Sequence, residues 1–417
     1  MLSDSLYASA FAVKKAKLWK KLSDNQLFAV RHFDSTLSYC CVMGNMGQHY
    51  ALAFFLGDTG LASLDRMNRE ADQSLLPHEQ HELFCAQDCI AVSFVNKPEL
   101  RGSETAEITA YCKTNGIQPR GAHAYPQFDR YRPHFIPWYI DDETHQRYML
   151  EGLNAALEVA RRLETETPDA LGFREGSPYE HSIPLLTAAA NGYVWSSLSP
   201  KPLAATAYPA AVITDELAFA RIKQGKPVGG EWACMILLHN QPMVPGEEQL
   251  EEGEEPHSAP YFPYLLMIVS LEDGKILGLT PAHDAEDYVP EFVAAVLETA
   301  RKNGKPAALC VQDKRTYDFL LPIAQTLGIR LMQEEAINPL CDALDGYLDQ
   351  FYAPSDDTPT EDEFDLFVNV LRDGEALRQM PQPLFKQVLA LVDENVLPLD
   401  VCHAVRREAQ RRGLKVN

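Results

Sequence analysis

The chain has 417 residues, 46% of them apolar, and a formal net charge of −22. That length exceeds one ordinary core and implies about two to four domains, while the charge repels polyanions and disfavours non-specific binding to nucleic acid or to an anionic membrane. Its longest apolar runs, residues 232–238 and 264–269, fall far short of the roughly 20 residues of a membrane-spanning helix, and nine scattered cysteines read as reduced thiols of a cytoplasmic protein rather than a disulfide framework.

The first apolar stretch, residues 6–13, has Asp4 before it and Lys14 and Lys15 after it, the reverse of the charge order of a secretory signal. It reads instead as an amphipathic helix, with Tyr7, Phe11, Leu18 and Leu22 on one stripe. Strands follow at 27–31, 37–43 and 50–56, a short helix carries Leu61, Leu64 and Met67, and a strand at 90–95 and a helix at 104–114 complete an α+β module. Residues 119–139 are proline-rich, aromatic and irregular. The helix predicted at 142–163 has acids in its first turn and Arg161 and Arg162 near its end, complementing the helix dipole. A loop with Pro178 and Pro184, a strand at 210–213, a helix at 215–223 and a strand at 231–239 come next.

Residues 245–260 form an acidic linker in which Glu247, Glu248, Glu251, Glu252, Glu254 and Glu255 repel one another with no basic residue to answer them. Beyond it the pattern is regular. Strands at 264–271 and 276–280 flank Asp273-Gly274, a strong hairpin signal. A helix ending at Gly304, a strand at 307–311, a helix ending at Gly328, a strand at 329–332 and a helix with Leu340, Leu344 and Leu348 imply parallel pairing through crossovers. A second acidic stretch, 356–365, leads into helices bearing Leu384, Val388 and Leu391, then Val401, Ala404 and Val405. The fold class expected is therefore α/β in several domains: an N-terminal α+β module (1–140), a middle α/β segment (141–244), a mixed-sheet α/β module after the linker (261–353) and a small helical tail (361–417).

Two resemblances enter here. Leu18-Trp19-Lys20-Lys21-Leu22, Leu27-Phe28-Ala29-Val30, Val42-Met43-Gly44 and Gly47-Gln48-His49-Tyr50-Ala51-Leu52 resemble an uncharacterised bacterial family whose N-terminal module is a domain of unknown function. The likeness continues through Pro137-Trp138 to the long helix. It implies a bacterial cytoplasmic protein and carries over no catalytic residue. Residues 264–351 are similar to the ribonuclease H-like fold, which runs an antiparallel strand set, helix, strand, helix, strand, helix, and whose carboxylates hold two divalent metals. That similarity makes Asp273, Asp313, Asp342 and Asp345 the candidate acids and Mg or Mn the candidate cofactor of a nuclease or phosphodiesterase. The third antiparallel strand is not evident, however, and the first has no acid inside it. Asp273 doubles as the hairpin's turn residue, and Asp342 and Asp345 as a solvated helix face. Asp313 is accordingly expected to serve no working two-metal site, and the chain to need no cofactor.

The Gly-x-x-x-x-Gly-Lys-Ser/Thr, Gly-x-Gly-x-x-Gly and Gly-x-Ser-x-Gly signatures do not occur. His78, His81, Cys85 and Cys89 have metal-ligand chemistry, but a helix rises roughly 16 Å over their span, so they cannot surround one ion, and no metal site is expected. Residues 119–139 concentrate Arg120, Arg130 and Arg132 with Tyr125, Phe128, Tyr131, Phe135, Trp138 and Tyr139 against one acid, Asp129. The first expectation is an inter-domain loop whose aromatics fill a core while its arginines pair with neighbouring acids. Guanidinium forks and stacking faces also suit an anion, so Arg130, Arg132 and Trp138 are the expected border of any ligand site. No complete catalytic set can be assembled. The function is unknown on this reading, and a non-catalytic binding or adaptor protein with an anionic small molecule or a protein as partner comes ahead of the metal-dependent enzyme.

Overall fold

The computed structural model describes residues 2–246 save 48, 71, 72, 74, 205 and 206, then 256, 258–284 and 287–352, and beyond these 368, 371, 372, 377, 388 and 399–412. The glutamates of the acidic linker, the stretch 356–365, Leu384 and Leu391 lie outside the described residues. The chain divides after Asp345 into two compact units. The first holds two mixed sheets; in the second, a helix at Leu399–Arg411 buries Val401, Cys402, Val405 and Ala409.

Eight strands make the first sheet: β1 (Phe28–Arg31), β2 (Leu37–Met43), β3 (Tyr50–Leu56), β4 (Cys89–Val95), β5 (Tyr125–Tyr131), β6 (Trp138–Tyr139), β7 (Ile183–Ala189) and β8 (Gly192–Leu198). Their order is β6-β5-β4-β3-β2-β1-β7-β8, antiparallel throughout except where β7 lies parallel to β1. The central strands are apolar on both faces. Phe28, Cys40, Leu52 and Phe54 turn to a core shared with α1 (Asp4–Ala16), α4 (Gly102–Thr114) and α5 (Glu143–Arg162). Ala29, Tyr39, Cys41 and Phe55 turn the other way, to Leu61 and Leu64 of α2 (Gly57–Glu70). A sheet covered on both sides needs this double burial rather than clean alternation.

Residues 119–139 are less irregular than expected, since they contain β5 and β6. Pro126 and the charged pair Asp129 and Arg130 hide the strand in the sequence; each charge is answered from outside, Asp129 by Arg101 at 2.8 Å and Arg130 by Asp88 at 2.7 Å. The loop expected around Pro184 is likewise the hairpin β7–β8. Pro184 is tolerated because the parallel pairing with β1 begins only at Leu185. Residues 210–213 are irregular instead of a strand, with Ala211 N donating to Phe319 O at 3.2 Å.

The second sheet runs β11-β10-β9-β12-β13, with β9 (Glu231–Leu238), β10 (Tyr264–Ser270), β11 (Ile276–Pro281), β12 (Ala308–Val311) and β13 (Arg330–Gln333). The first three are antiparallel, and β12 and β13 lie parallel to β9. The β10–β11 hairpin thus has a third antiparallel neighbour, β9, which precedes it in the chain. Residues 141–244 are therefore shared out: α5, β7 and β8 complete the first sheet and β9 opens the second. Between strands run α7 (Val289–Asn303) and α8 (Lys314–Leu327), and α9 (Asn338–Tyr352) follows β13. Trp232, Cys234, Ile236, Phe292 and Phe319 centre this second core, joined by Phe219 of α6 (Glu216–Gln224).

One contact fixes how closely α5 lies on the first sheet. A Cβ at Gly152 would stand 2.6 Å from the ring of Phe54, which is fully buried. Gly152→Ala is expected to lose about 1–3 kcal/mol through overpacking despite alanine's better helix propensity. Urea denaturation measures this, and Phe54→Leu in the same chain should recover part of the loss.

Candidate functional site

Asp273 and Asp313 lie toward opposite ends of β9, Asp342 lies beside Asp273, and Asp345 and Asp313 both act electrostatically on His78. Asp273 sits in the β10–β11 turn, beyond the level where Ser270 pairs with Trp232, and is exposed and bonded to Lys275 at 2.5 Å, which holds its carboxyl down at about 2. Asp313 follows β12, beyond the level where Val311 pairs with Cys234, at the other end of β9. Those two paired levels are about 7 Å apart on β9 at roughly 3.3 Å per residue, and each acid lies beyond its own level in the opposite direction. Two metal ions of a shared site stand about 3.5–4 Å apart. Asp342 lines a shallow open concavity with Glu272, Asp273 and Pro339. Among the described residues no group of three histidines, cysteines or carboxylates is placed to hold a metal.

Asp313 has a different task. Its Oδ1 accepts from Thr316 N at 2.8 Å and its Oδ2 from Thr316 Oγ1 at 2.6 Å, so it is the N-cap of α8. The Thr316 hydroxyl in turn accepts from Ile236 N at 2.8 Å. Because the β12 pairing ends at Cys234, the Ile236 amide needs a side-chain partner, and the cap supplies it.

Two residues into α8, Arg315 makes an enclosed ion pair with a distant segment. Both its terminal nitrogens donate to Glu82 of α3 (Pro77–Cys85), Nη1 to Oε2 at 3.0 Å and Nη2 to Oε1. The side chains are only 12% and 20% exposed. Rings of Tyr208 and Tyr264 flank the guanidinium at 5.1 and 4.8 Å. Burial works to raise the Glu82 carboxyl, but the Arg315 fork overrides it and holds the group below its ordinary value. Burial likewise lowers Arg315, and Glu82 more than restores it. Around the pair, Tyr264 OH meets His134 Nε2 at 3.0 Å and His81 Nε2 meets the His239 carbonyl at 3.2 Å. Tyr288 is 4% exposed and its hydroxyl has no hydrogen-bond partner among the described residues.

The segment 132–136 straps this junction from the first module. His134 N donates to Cys85 O at 2.7 Å, Phe262 N to His134 O at 2.7 Å and Ile136 N to Pro260 O at 2.9 Å. His134 adopts a left-handed backbone, φ 70°. Of the three residues expected to border an anion, Arg130 also donates to the carbonyls of Cys89 and Tyr131, Arg132 is exposed and stacks over Phe135 at 3.7 Å, and Trp138 is half-buried on β6 opposite Arg130. Of the four metal-ligand types, Cys85 ends α3 while Cys89 is buried within β4. Burial lowers His78 and His81 and pushes the Cys85 thiol up to about 12, so it is no thiolate.

A second polar chain is closed. His32 Nε2 lies 2.8 Å from Ser38 Oγ and its Nδ1 2.9 Å from Glu151 Oε2, the connectivity of a serine–histidine–carboxylate triad. Ser38 is fully buried, so its hydroxyl meets no substrate. The chain ties α5 to the β1–β2 turn, where Tyr148 donates to Asp34 at 2.5 Å.

Residues 4–178 match the model of a Domain of unknown function (DUF7309), and residues 218–348 match that of a second Domain of unknown function (DUF6930). Both modules are thus domains of unknown function. Glu82 and His134 come from the DUF7309 match and Arg315, Tyr264 and Tyr288 from the DUF6930 match. No curated protein matches the chain. Among solved structures it is similar to a chain of "CryoEM structure of simian T-cell lymphotropic virus intasome in complex with PP2A regulatory subunit B56 gamma", at 11% identity and a TM-score of 0.21, over 40% of this chain and 53% of that one. The chain thus spans about half the length of that relative, and so low a score carries no weight for fold or function. Among the described residues no helix is long and apolar enough to cross a membrane.

Neither Glu82 nor Arg315 was legible as a site residue, since they stand 233 positions apart with no local motif. Truncating either one to alanine is expected to lose about 3–5 kcal/mol, because the partner charge stays buried, whereas the joint change Glu82→Leu, Arg315→Met should be far milder. Chemical denaturation of the three variants checks this.

His134 gives a pH dependence at the same place. Burial lowers its ring to about 4, and Glu82 only partly opposes this. The unfolded ring takes up its proton near pH 6.5, so the folded state binds fewer protons between the two values. The stability it contributes is complete above about pH 6.5 and drains away as pH falls toward 4, on the order of 2–3 kcal/mol in all. Denaturation at pH 7 and pH 5 should show His134→Gln losing less stability on acidification than wild type.

Proposed function

We propose that the chain is a non-catalytic binding protein of the cytoplasm, and that its second module receives an anionic group of a small molecule or a protein at Arg315. The observation that carries this is the arrangement at the C-terminal end of β9 and β12. Open α/β sheets place their ligands at that end of the strands. Here it holds recognition chemistry, a guanidinium fork flanked by two tyrosine rings, while Asp313 beside it is engaged in capping α8. Arg132, exposed on the strap that leads into the junction, would extend the positive surface.

The strand order of the second sheet, three antiparallel strands followed by two parallel ones in alternation with helices, supports reading the module as ribonuclease H-like in frame. On this reading the frame is kept and the acid set is not assembled. A reducing compartment is supported by nine cysteines scattered along the sequence without the spacing of a disulfide framework.

Two measurements test the proposal. Wild type should hold an anion saturably and without turnover, and Arg315→Lys should lose it, since the fork and not merely the charge is required. Incubation with single-stranded nucleic acid and Mg²⁺ or Mn²⁺ should give no cleavage. Metal-supported cleavage by wild type that disappears in Asp313→Asn, a change that preserves the helix cap, would overturn the proposal in favour of a nuclease.

A further inference from the structure

We infer that Glu82 is a stand-in: it occupies on Arg315 the place of a ligand's phosphate group, and α3 is the segment that leaves when that ligand arrives. The inference rests on the reading of Arg315 as the binding residue and adds the ligand class and the means of its control.

The receptor belongs to one module and its occupant to the other. Arg315, Tyr208, Tyr264 and Tyr288 lie between residues 208 and 315, whereas the carboxylate is presented by α3 alone. A guanidinium fork fits carboxylate and phosphate oxygens in the same two-pronged way. A carboxylate has two oxygens, and both of Glu82's are spent on Arg315. The Tyr288 hydroxyl, 4% exposed, has no partner among the described residues, and buried hydroxyls normally have one. Its ring stands 4.9 Å from that of Tyr264 and within electrostatic reach of Arg315, Asp313, Tyr208 and Glu82. A phosphate brings the further oxygen that this donor lacks. Asp313, the other acid here, has both oxygens turned to Thr316.

The helix that carries Glu82 is built to come away. It has nine residues, too few to be stable alone. Its inner side is polar, with His78, His81, Glu82 and Cys85, and Leu83 is its fully buried apolar side chain, while Phe84 and, at the N-cap, Leu76 are more than half exposed. Apart from the Arg315 pair, α3 is held by a polar face and few apolar contacts, so a ligand that replaces Glu82 on Arg315 leaves a segment that opens at low free energy. Because the internal carboxylate competes for the same fork, removing its charge raises apparent affinity by the share of molecules in which the site is free.

The test uses the full chain, calorimetry with inorganic phosphate and with acetate, and hydrogen exchange of residues 77–85. Phosphate binding to wild type should speed exchange in 77–85. Glu82→Gln should bind phosphate at least about tenfold more tightly, and Tyr288→Phe should weaken phosphate several-fold, spare acetate, and leave the unfolding midpoint unchanged or higher, since it deletes an unsatisfied group. Should Glu82→Gln not fold, Glu82→Asp, which keeps the charge and shortens its reach, should shift affinity the same way. A folded Glu82 variant that binds no tighter than wild type, or exchange in 77–85 that ignores phosphate, overturns the inference. If Arg315→Lys still abolishes binding in that case, Arg315 stands as the binding residue without a displaceable helix; if binding ignores Arg315 in every variant, both readings fail together.

Discussion

Two charges taken out of water must face each other, and here they are contributed by different modules. Arg315 is positioned by the first turn of α8 and Glu82 by a helix of the first module. Neither can be buried without the other, so this one requirement sets where α3 lies over the second sheet. The strap at 132–136 follows from it, since His134 reaches Tyr264, a ring that itself flanks Arg315. Such a pair adds little net stability compared with apolar residues of the same size, but it punishes every arrangement that separates it.

The frame of each module was legible because its signals are local. The β10–β11 hairpin was announced by Asp273-Gly274, α5 by acids in its first turn and arginines in its last, and the parallel strands of the second module by their alternation with helices. The strands that escaped were those whose neighbours do the explaining. β5 contains a proline and two charges, and its partners Arg101 and Asp88 are distant or loop residues. β7 contains Pro184, harmless only because the parallel pairing starts one residue later. Asn191-Gly192 at the head of β8 is a local hairpin signal for that turn.

The site was legible in its chemistry and not in its membership. The grouping of arginines and aromatics within 119–139 places Arg130 against Asp88, while the Arg315 guanidinium draws its ring partners from residues 208 and 264. Sequence spacing reports neighbours along the chain, and this cage is made across it. Asp313 teaches the converse. It stands where a strand of the second sheet ends, a place suited to chemistry, and is consumed by the cap that also satisfies the Ile236 amide.

The parallel pairing of β1 with β7 bears on how the chain is made. A ribosome delivers β1 early, and the strand that covers its far edge emerges roughly 150 residues later, a separation that slows folding. Until then the nascent sheet ends in Phe28-Ala29-Val30, an uncharged apolar edge with open backbone groups of the kind that recruits other chains. The first module therefore cannot close while it is being synthesised, and for that interval its safety depends on chaperones or on translation speed rather than on its own fold.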